Sequence, residues 1–414
     1  MLSLPTELWL LIGAYLSKHD LLATIQVNTV FHSRFTPILY RDFVICGGHA
    51  RTARPFPWRI GWKHVEMSKT QYIERSFATI GRLKRIQCSS VLMDAIKSCT
   101  LCHFEHKNHR NEETVADALE QVLQEAVTFM SKLPHCSEIV VEKVHIKIRQ
   151  LKQSISHQSR PVNLTVQRCT ILDDDSTLLS IDSQPQCSLK NLTLATIAGS
   201  KQTAHEFAEW SMCSGLQTLS LRDFGYLPLF RVQWAQKSFP TLRRLELVHA
   251  DDCTQILSHL PMLEELCFQG PFAALELPLI ILPRLRVFEG SGYNARSIVP
   301  GRPISVLHLS NGCEGLLNLG MDPPAAPNFG SRTPILELTI KGGSPAGSLE
   351  QGRITRLCPS LQVLRLSSVS FPTMTVDAVS LRSTMKKQAH RERTEHIHSR
   401  VYTRTLSSEA PPTP

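Results

Sequence analysis

Long apolar runs are missing from this chain, and aromatic residues make up only 7% of it. No segment approaches the roughly 18 apolar residues that a bilayer-spanning helix requires, so the sequence predicts no such helix and no membrane partner. The N-terminal apolar stretch contains Glu7, follows no basic region and precedes no small-residue cleavage site. A secretory signal is therefore not expected, and we expect an intracellular protein, in the cytoplasm, the nucleus or both.

A disulfide framework is also missing. The 12 cysteines are scattered over 414 residues without the dense, regular spacing that small secreted domains show. Because isolated thiols of this kind are typical of reducing compartments, the sequence favours free cysteines.

The sequence contains no recognisable catalytic motif. A serine nucleophile elbow is absent, and Gly342-Gly343-Ser344 precedes no Lys-Ser/Thr pair that would complete a phosphate-binding loop. His205-Glu206 has no second histidine at the spacing of a metalloprotease helix. We therefore expect no enzyme activity and no cofactor.

One cluster resembles a metal site and is the reason to keep an enzyme with zinc as an open alternative. Cys99, Cys102, His103, His106 and His109 carry thiolate and imidazole ligands at short spacing. Structural zinc sites usually draw their second pair of ligands from a distant segment, and one compact cluster cannot easily close a tetrahedron. The preferred interpretation is a polar insertion loop without metal.

The net charge of +9 is concentrated near the C-terminus. Residues 381–404 contain seven Lys or Arg against two Glu, with few apolar residues. No aromatic residues alternate with these basic side chains, so the charge does not favour nucleic-acid binding. We interpret 371–414 as a basic, disordered tail.

A six-residue pattern, apolar-x-x-apolar-x-apolar, recurs about a dozen times. From Leu189 the intervals between starting positions are 27, 26, 21, 22, 19, 31 and 26 residues, close to the roughly 20 to 29 residues of leucine-rich repeats. The starting residues are Trp62, Leu83, Cys136, Pro161, Leu189, Leu216, Leu242, Leu263, Leu285, Ile304, Ile335 and Leu361. The pattern predicts an α/β leucine-rich-repeat solenoid over 61–370, with a further strand possible between 83 and 136.

Between these strands the sequence predicts returning helices. Residues 112–130 place eight apolar side chains on one helical stripe, and 203–212, 252–260 and 349–357 are shorter candidates. Stacking of such units would bury the apolar faces that a single repeat leaves exposed.

The first 45 residues predict three short helices. Pro5 suits a first turn, Asp20 and Asn28 are expected to cap the second and third helices, and Pro37 is expected to end the third. So small a unit cannot bury all its apolar side chains, which implies a cover from the chain itself or from a partner.

These residues resemble an F-box. The resemblance rests on Leu4-Pro5-x-Glu7, Ile12-x-x-Tyr15-Leu16, Asp20-Leu21-Leu22, Val27, Phe31 and Pro37-x-Leu39-Tyr40-Arg41. Phe31 stands where most members have tryptophan, and Asn28-Thr29 replaces a common cysteine-lysine pair.

The resemblance implies a substrate-recognition subunit of an SCF-type cullin-RING ubiquitin ligase, docked to a Skp-type adaptor through an all-helical head. The implied adaptor-binding residues are Leu4, Pro5, Leu8, Ile12, Leu16, Leu21, Leu22, Val27 and Phe31. The organisation then consists of an F-box at 1–45, a connector at 46–60, the repeats at 61–370 and the tail at 371–414.

The repeats would bind an unknown protein substrate. Residues flanking or between the leucines of the strands should face solvent, and their mixed charges favour a protein partner read by shape and paired charge. The candidates are Arg244, Glu246, Glu265, Glu289, His308, Glu337 and Arg365. The alternative is an interaction scaffold whose helical head only caps the solenoid.

Overall fold

The computed structural model shows an α/β protein, as the sequence predicts. It divides into two compact units, Met1–Ala250 and Asp251–Pro414. The structure describes residues 5–47, 69–104, 113–156, 162–173, 189–223, 239–248, 254–269, 278, 280–310, 327–341, 354, 357–368 and 371–377.

The first unit begins with a three-helix head formed by α1 (Thr6–Tyr15), α2 (Lys18–Ile25) and α3 (Thr29–Tyr40). Asn28 caps α3 as predicted, accepting a hydrogen bond from the Phe31 amide at 2.9 Å. The predicted cap of α2 was wrong: Ser17, not Asp20, occupies that position, and its hydroxyl accepts from the Asp20 amide at 3.2 Å. Serine is as good a cap as aspartate, so the choice between them depends on where the chain turns.

Pro37 does not end α3, which continues to Tyr40. That prediction was also wrong. Proline removes one backbone hydrogen bond, but the helix continues because its last turn packs onto the sheet: the rings of Tyr40 and Phe43 stack with centroids 6.3 Å apart.

The strands of the first unit follow the head. They are β1 (Asp42–Cys46), β2 (Ser98–Phe104), β3 (Glu138–Lys147), β4 (Val162–Gln167), β5 (Thr170–Leu172), β6 (Leu189–Ala195), β7 (Thr218–Arg222) and β8 (Arg244–Val248). Their order is β1-β2-β3-β4-β6-β7-β8, all parallel, while β5 pairs with the end of β3.

Further helices of this unit alternate with its strands along the chain. They are α4 (Lys69–Gln87), α5 (Ser90–Ala95), α6 (Glu113–Ser131), α7 (Ile148–Ser156) and α8 (Lys201–Ser211). α6 packs on β2 and α7 on β3, with α4 and α7 on either side of α6. The helix predicted at 112–130 is thereby confirmed, and α8 matches the one predicted at 203–212.

The second unit repeats this plan. Its strands are β9 (Glu265–Gln269), β10 (Val287–Ser291), β11 (Val306–Ser310), β12 (Glu337–Lys341), β13 (Val363–Ser368) and β14 (Phe371–Asp377). β9 to β13 pair in parallel in chain order, and β14 pairs antiparallel with β13. The connecting elements are α9 (Thr254–Ser258), α10 (Gly292–Ile298) and a 3-10 turn (Pro327–Gly330).

The leucine positions of the six-residue pattern form the interior. In the first unit one buried row contains Phe43, Cys99, Ile139, Leu164, Leu192, Leu219 and Leu245, which are register partners from strand to strand. The residue after each belongs to the opposite face because side chains alternate along a strand. We call this second set of register partners the outer row.

One predicted strand is a helix in the structure: the pattern beginning at Leu83 lies inside α4. The strand predicted at 62–67 lies outside the described residues. Ile80, Leu83 and Ile86 are buried on one side of that helix. The strand pattern places two apolar residues three positions apart, and this spacing also suits one face of a helix. Ile80, three positions before Leu83, continues the same spacing and therefore favours the helix.

Three strands were found where the sequence predicted other structure. β1 lies at the end of the segment interpreted as an all-helical head, and β14 lies in the predicted disordered tail. β2 occupies the segment interpreted as a polar insertion loop and is the further strand that the sequence left possible between 83 and 136. β14 forms because it pairs with the last parallel strand, a long-range contact that local composition does not reveal.

A backbone regularity marks the first unit. The residue directly after the last parallel pair of successive strands is left-handed and is not glycine: His103, Lys143, Arg168, Thr196 and Asp223 have φ values of 59°, 55°, 55°, 51° and 48°. Their amides can therefore turn toward the next strand, as Arg168 and Thr196 do in donating to the carbonyls of Ala195 and Arg222. The same left-handed turn therefore recurs at equivalent positions of successive strands.

In the second unit a fully buried arginine holds loops together. The guanidinium of Arg302 donates to the carbonyls of Pro278, Ile281, Ser297, Ile298 and Pro300 at 2.6 to 3.3 Å. Burial, and secondarily Arg332, lowers the pKa of Arg302. The group satisfies carbonyls at the end of α10, which would otherwise lack donors.

Among the described helices, none has both the length and the apolar character needed to cross a membrane.

Candidate functional site

The head separates its side chains into two sets. Trp9, Phe31 and Phe35 form an aromatic cluster, with ring centroids 5.5 to 5.9 Å apart, and Phe35 is only 1% exposed. Gly13 allows α1 to approach α3, because a Cβ there would meet the Ile38 side chain at 2.4 Å. These contacts fill the small interior of the head.

The opposite side of α1 is apolar and exposed. Leu8, Leu11, Ile12 and Tyr15 lie within an arc of about 100° on the helix, facing away from Trp9 and Gly13. All four are exposed, and Tyr15 retains 85% of its accessible area. Leu22, Val27 and Val30 are exposed as well, Val27 to 68%. We call these seven residues the exposed apolar set of the head.

The structure distributes the predicted adaptor-binding residues unevenly. Pro5, Leu8, Ile12, Leu22 and Val27 are exposed, and Leu16 and Phe31 are half-buried. Leu21 is 4% exposed and belongs to the interior, whereas Leu4 lies outside the described residues. Leu11, Tyr15 and Val30 were absent from the predicted set, although the helical spacing from Leu8 was sufficient to find the first two.

In the second unit the residues that follow the buried leucine positions of the strands form an outer row of the same kind, and it carries three of the seven predicted substrate-binding residues. Glu289, His308, Thr339 and Arg365 are register partners on β10 to β13. Glu337 begins β12 and Glu265 begins β9, both half-buried. The structure therefore brings residues from four successive strands into one line.

Ion pairs hold these side chains. Arg365 Nη1 lies 3.2 Å from Glu337 Oε1, and Lys341 Nζ reaches diagonally across β11 to Glu289 Oε1 at 2.6 Å. Lys341, which ends β12, was not among the residues predicted from the sequence. Its charge is opposite to that of Glu289, two strands away, and this was the signal that could have identified it. Since each acid has a nearby base, this surface presents alternating charge and not a field of one sign.

His308 lies between the two ion pairs. Burial lowers its pKa, while Glu289 and Glu337 act in the opposite direction. Its Nδ1 and the buried Oγ1 of Thr339 have no hydrogen-bond partner among the described residues. Both atoms are buried, so the cost of removing them from water is not compensated by a hydrogen bond within the described residues.

The first unit differs along its outer row. Thr100, Val140, Thr165, Thr193 and Ser220 are uncharged, and charge enters only at Glu246 on β8. Glu246 accepts from Ser220 Oγ at 2.9 Å and pairs with Arg222 at 2.8 Å, leaving its side chain 13% exposed. Arg244, at the start of β8, is exposed.

The two cysteines of the predicted cysteine and histidine cluster do not converge in the described part of the chain. Cys99 and Cys102 lie three residues apart on β2, so the strand directs them to opposite faces. His106 and His109 lie outside the described residues. Within the parts of the chain that are described, no group of three or more Cys, His, Asp or Glu side chains is arranged to hold a metal ion.

Neither the family models nor the curated proteins with which the chain was compared gave a match.

Proposed function

We propose that this protein is a substrate-recognition subunit of an SCF-type cullin-RING ubiquitin ligase. In this proposal residues 1–45 are an F-box that docks to a Skp-type adaptor, and the parallel strands are leucine-rich repeats that bind the target protein. The exposed apolar set of the head is the observation that carries it. Contiguous apolar residues on one helix face of an intracellular protein are typical of a docking surface.

The mechanism is proximity and requires no catalytic residue in this chain. The head fixes the protein to the ligase, and the repeats hold the target. Target lysines are thereby raised to a high effective concentration beside the ubiquitin-charged enzyme.

The outer row of the second unit supports the target-binding half of the proposal. Its charges are paired within the unit, so a partner is selected by the pattern of charge and by shape. Glu289, His308 and Arg365 would contribute most, because they share one line across the strands.

The alternative is a scaffold whose head only caps the repeats. It is favoured by the packing of α3 on β1: Tyr40 stacks on Phe43, and Phe43 contacts Phe129 of α6 at a centroid distance of 5.4 Å. A cap, however, has no need of Leu8, Ile12 and Tyr15 on its outer side. The two roles are therefore separated by mutating only that side.

Replacing Leu8 and Ile12 together by Asp should weaken binding to a purified Skp-type adaptor at least about 100-fold, since burial of each side chain contributes roughly 1.5 to 3 kcal/mol. Calorimetric titration with the full-length protein measures this. Ile280→Asp is the matched control, because Ile280 is an exposed apolar residue of the other unit.

Two results contradict docking. One is a wild-type protein that does not bind the adaptor. The other is a double variant that binds equally well while its circular dichroism and melting are unchanged. In that second case the scaffold alternative is retained.

Target binding is tested by proximity labelling with the proteasome inhibited. The head variant should still label the targets but no longer increase their ubiquitination, whereas Glu289→Lys combined with Arg365→Glu should lose the labelling and keep adaptor binding. If this outer-row variant labels the same proteins as the wild type, the outer row is not the target site.

A further inference from the structure

Cys46 and Cys102 are the closest pair of thiols in the described part of the chain. Cys46 ends β1 and Cys102 lies on β2 as its direct register partner. Their Sγ atoms are 3.0 Å apart, about 1 Å more than a disulfide bond. Adjacent strands bring Cα atoms to roughly 4.8 Å, within the roughly 4.4 to 6.8 Å that disulfides span.

The two thiols differ in environment. Cys46 is exposed, whereas Cys102 is 7% exposed. The hydrogen bond with Cys102 and the nearby charge of Arg82 lower the pKa of Cys46 to about 7, against an opposing contribution from burial. The pKa of Cys102 is raised, first by its bond to Cys46 and by burial, then by Glu142, with Lys143 opposing.

These roles are those of an attacking thiolate and a resolving thiol. An accessible thiolate reacts with oxidants, and a neighbour within bonding reach captures the product. The other cysteines nearby do not share this arrangement: burial raises the pKa of both Cys99 and Cys136.

We propose that Cys46 and Cys102 are a redox-sensitive pair that closes to a reversible disulfide on exposure to a hydroperoxide, fastening the head to the sheet. This inference does not depend on the proposed ligase function. The bond would join the strand that directly follows α3 to the second strand, beside the existing hydrogen bond from the Gly47 amide to the Cys102 carbonyl at 3.0 Å.

The chemistry balances as a two-electron oxidation. The Cys46 thiolate attacks one peroxide oxygen, the O–O bond breaks, and hydroxide leaves to give a sulfenic acid at Cys46. The Cys102 sulfur then attacks the Cys46 sulfur, the S–O bond breaks, and the hydroxide takes up the Cys102 proton as water. A dithiol reverses the reaction by returning two electrons and two protons.

The test treats the full-length reduced protein with hydrogen peroxide and then blocks the remaining thiols. The free-thiol count should fall by two, a Cys46–Cys102 linked peptide should appear in the digest, and dithiothreitol should restore both thiols. Cys46→Ser should prevent the loss, whereas Cys88→Ser should not, because Cys88 is exposed but belongs to no such pair in the described residues. The rate should rise with pH to half its maximum near the Cys46 pKa.

A conformational measurement accompanies the chemical one. Amide exchange of residues 42–46 should slow about tenfold on oxidation in the wild type and remain unchanged in Cys46→Ser. The proposal is overturned if the treated wild type keeps both thiols, if Cys46 proceeds to sulfinic acid without pairing, or if Cys102 is found linked elsewhere. Because Cys46 is exposed, its serine variant keeps the fold and makes each of these outcomes interpretable.

Discussion

Aliphatic side chains of the same kind are buried in the sheets and exposed in the head. Leu192 and Leu219 are fully buried in a row that neighbouring strands continue on both sides. Leu8 and Ile12 have no such neighbours among the described residues, because the interior of the head is already filled by three aromatic rings. A leucine is therefore buried where neighbouring strands place similar side chains on both sides of it. Where such neighbours are absent, the leucine stays exposed and is available to a partner.

Arg302 is the opposite case to an exposed leucine, because it is a polar side chain that is buried. Arg302→Leu should lower the free energy of unfolding by about 4 kcal/mol, because several buried carbonyls lose their donor at once. Urea denaturation measures this, with Arg332→Leu, an exposed neighbour, as control. A loss below about 1 kcal/mol would show that water replaces the guanidinium.

The direct comparison replaces one leucine of the sheet and one leucine of the head by alanine. Leu219→Ala should cost about 3 kcal/mol through lost burial and the cavity it leaves, whereas Leu8→Ala should change stability by less than about 0.5 kcal/mol. The same denaturation experiment measures both. Equal losses would mean that Leu8 is part of the core, and the distinction between head and sheet would fail.

A smaller effect of opposite sign is expected at the left-handed turns of the first unit. Thr196 is β-branched, exposed and held at φ 51°. Thr196→Asn should stabilise the protein by about 0.5 to 1 kcal/mol, because asparagine tolerates this conformation better. Thermal unfolding measures the gain, and Thr193→Asn within β6, the strand that precedes this turn, controls for composition. A destabilised variant would show that the turn is not strained.

The smallest expected effect concerns pH. Because burial lowers the pKa of His308, the folded protein prefers neutral histidine, and its contribution to stability is present above the unfolded value of 6.5 and is lost as pH falls below it. Stability measured at pH 7.5 and 5.5 should therefore differ less in His308→Gln than in the wild type. An identical difference in both proteins would contradict this assignment.

Much of the sheet was predictable because its signal is repeated. From β3 to β13 every parallel strand except the short β5 lies where the six-residue pattern placed it, since each strand must bury alternate residues against its neighbours. β2 was predicted only as a possible strand between 83 and 136, because Cys99 and Cys102 were interpreted as potential metal ligands in a loop. In a strand a buried cysteine behaves as a small apolar residue, so the same letters fit the interior.

Single positions were less predictable than repeated ones. The choice between Ser17 and Asp20 as a cap depends on one turn, and the exposure of Tyr15 depends on which rings fill the head. The ion pairs of Glu246 and Glu289 required register, which fixes Arg222 and Lys341 as neighbours. Nothing local in the sequence indicates that Arg302 is buried, because its partners are carbonyls, which every residue carries.

β14 pairs with β13 in the antiparallel direction and thereby occupies the side of β13 that a further parallel strand would use. An unpaired strand edge is a template for association with another chain. The reversed strand therefore covers backbone groups of β13 that would otherwise be open to such association.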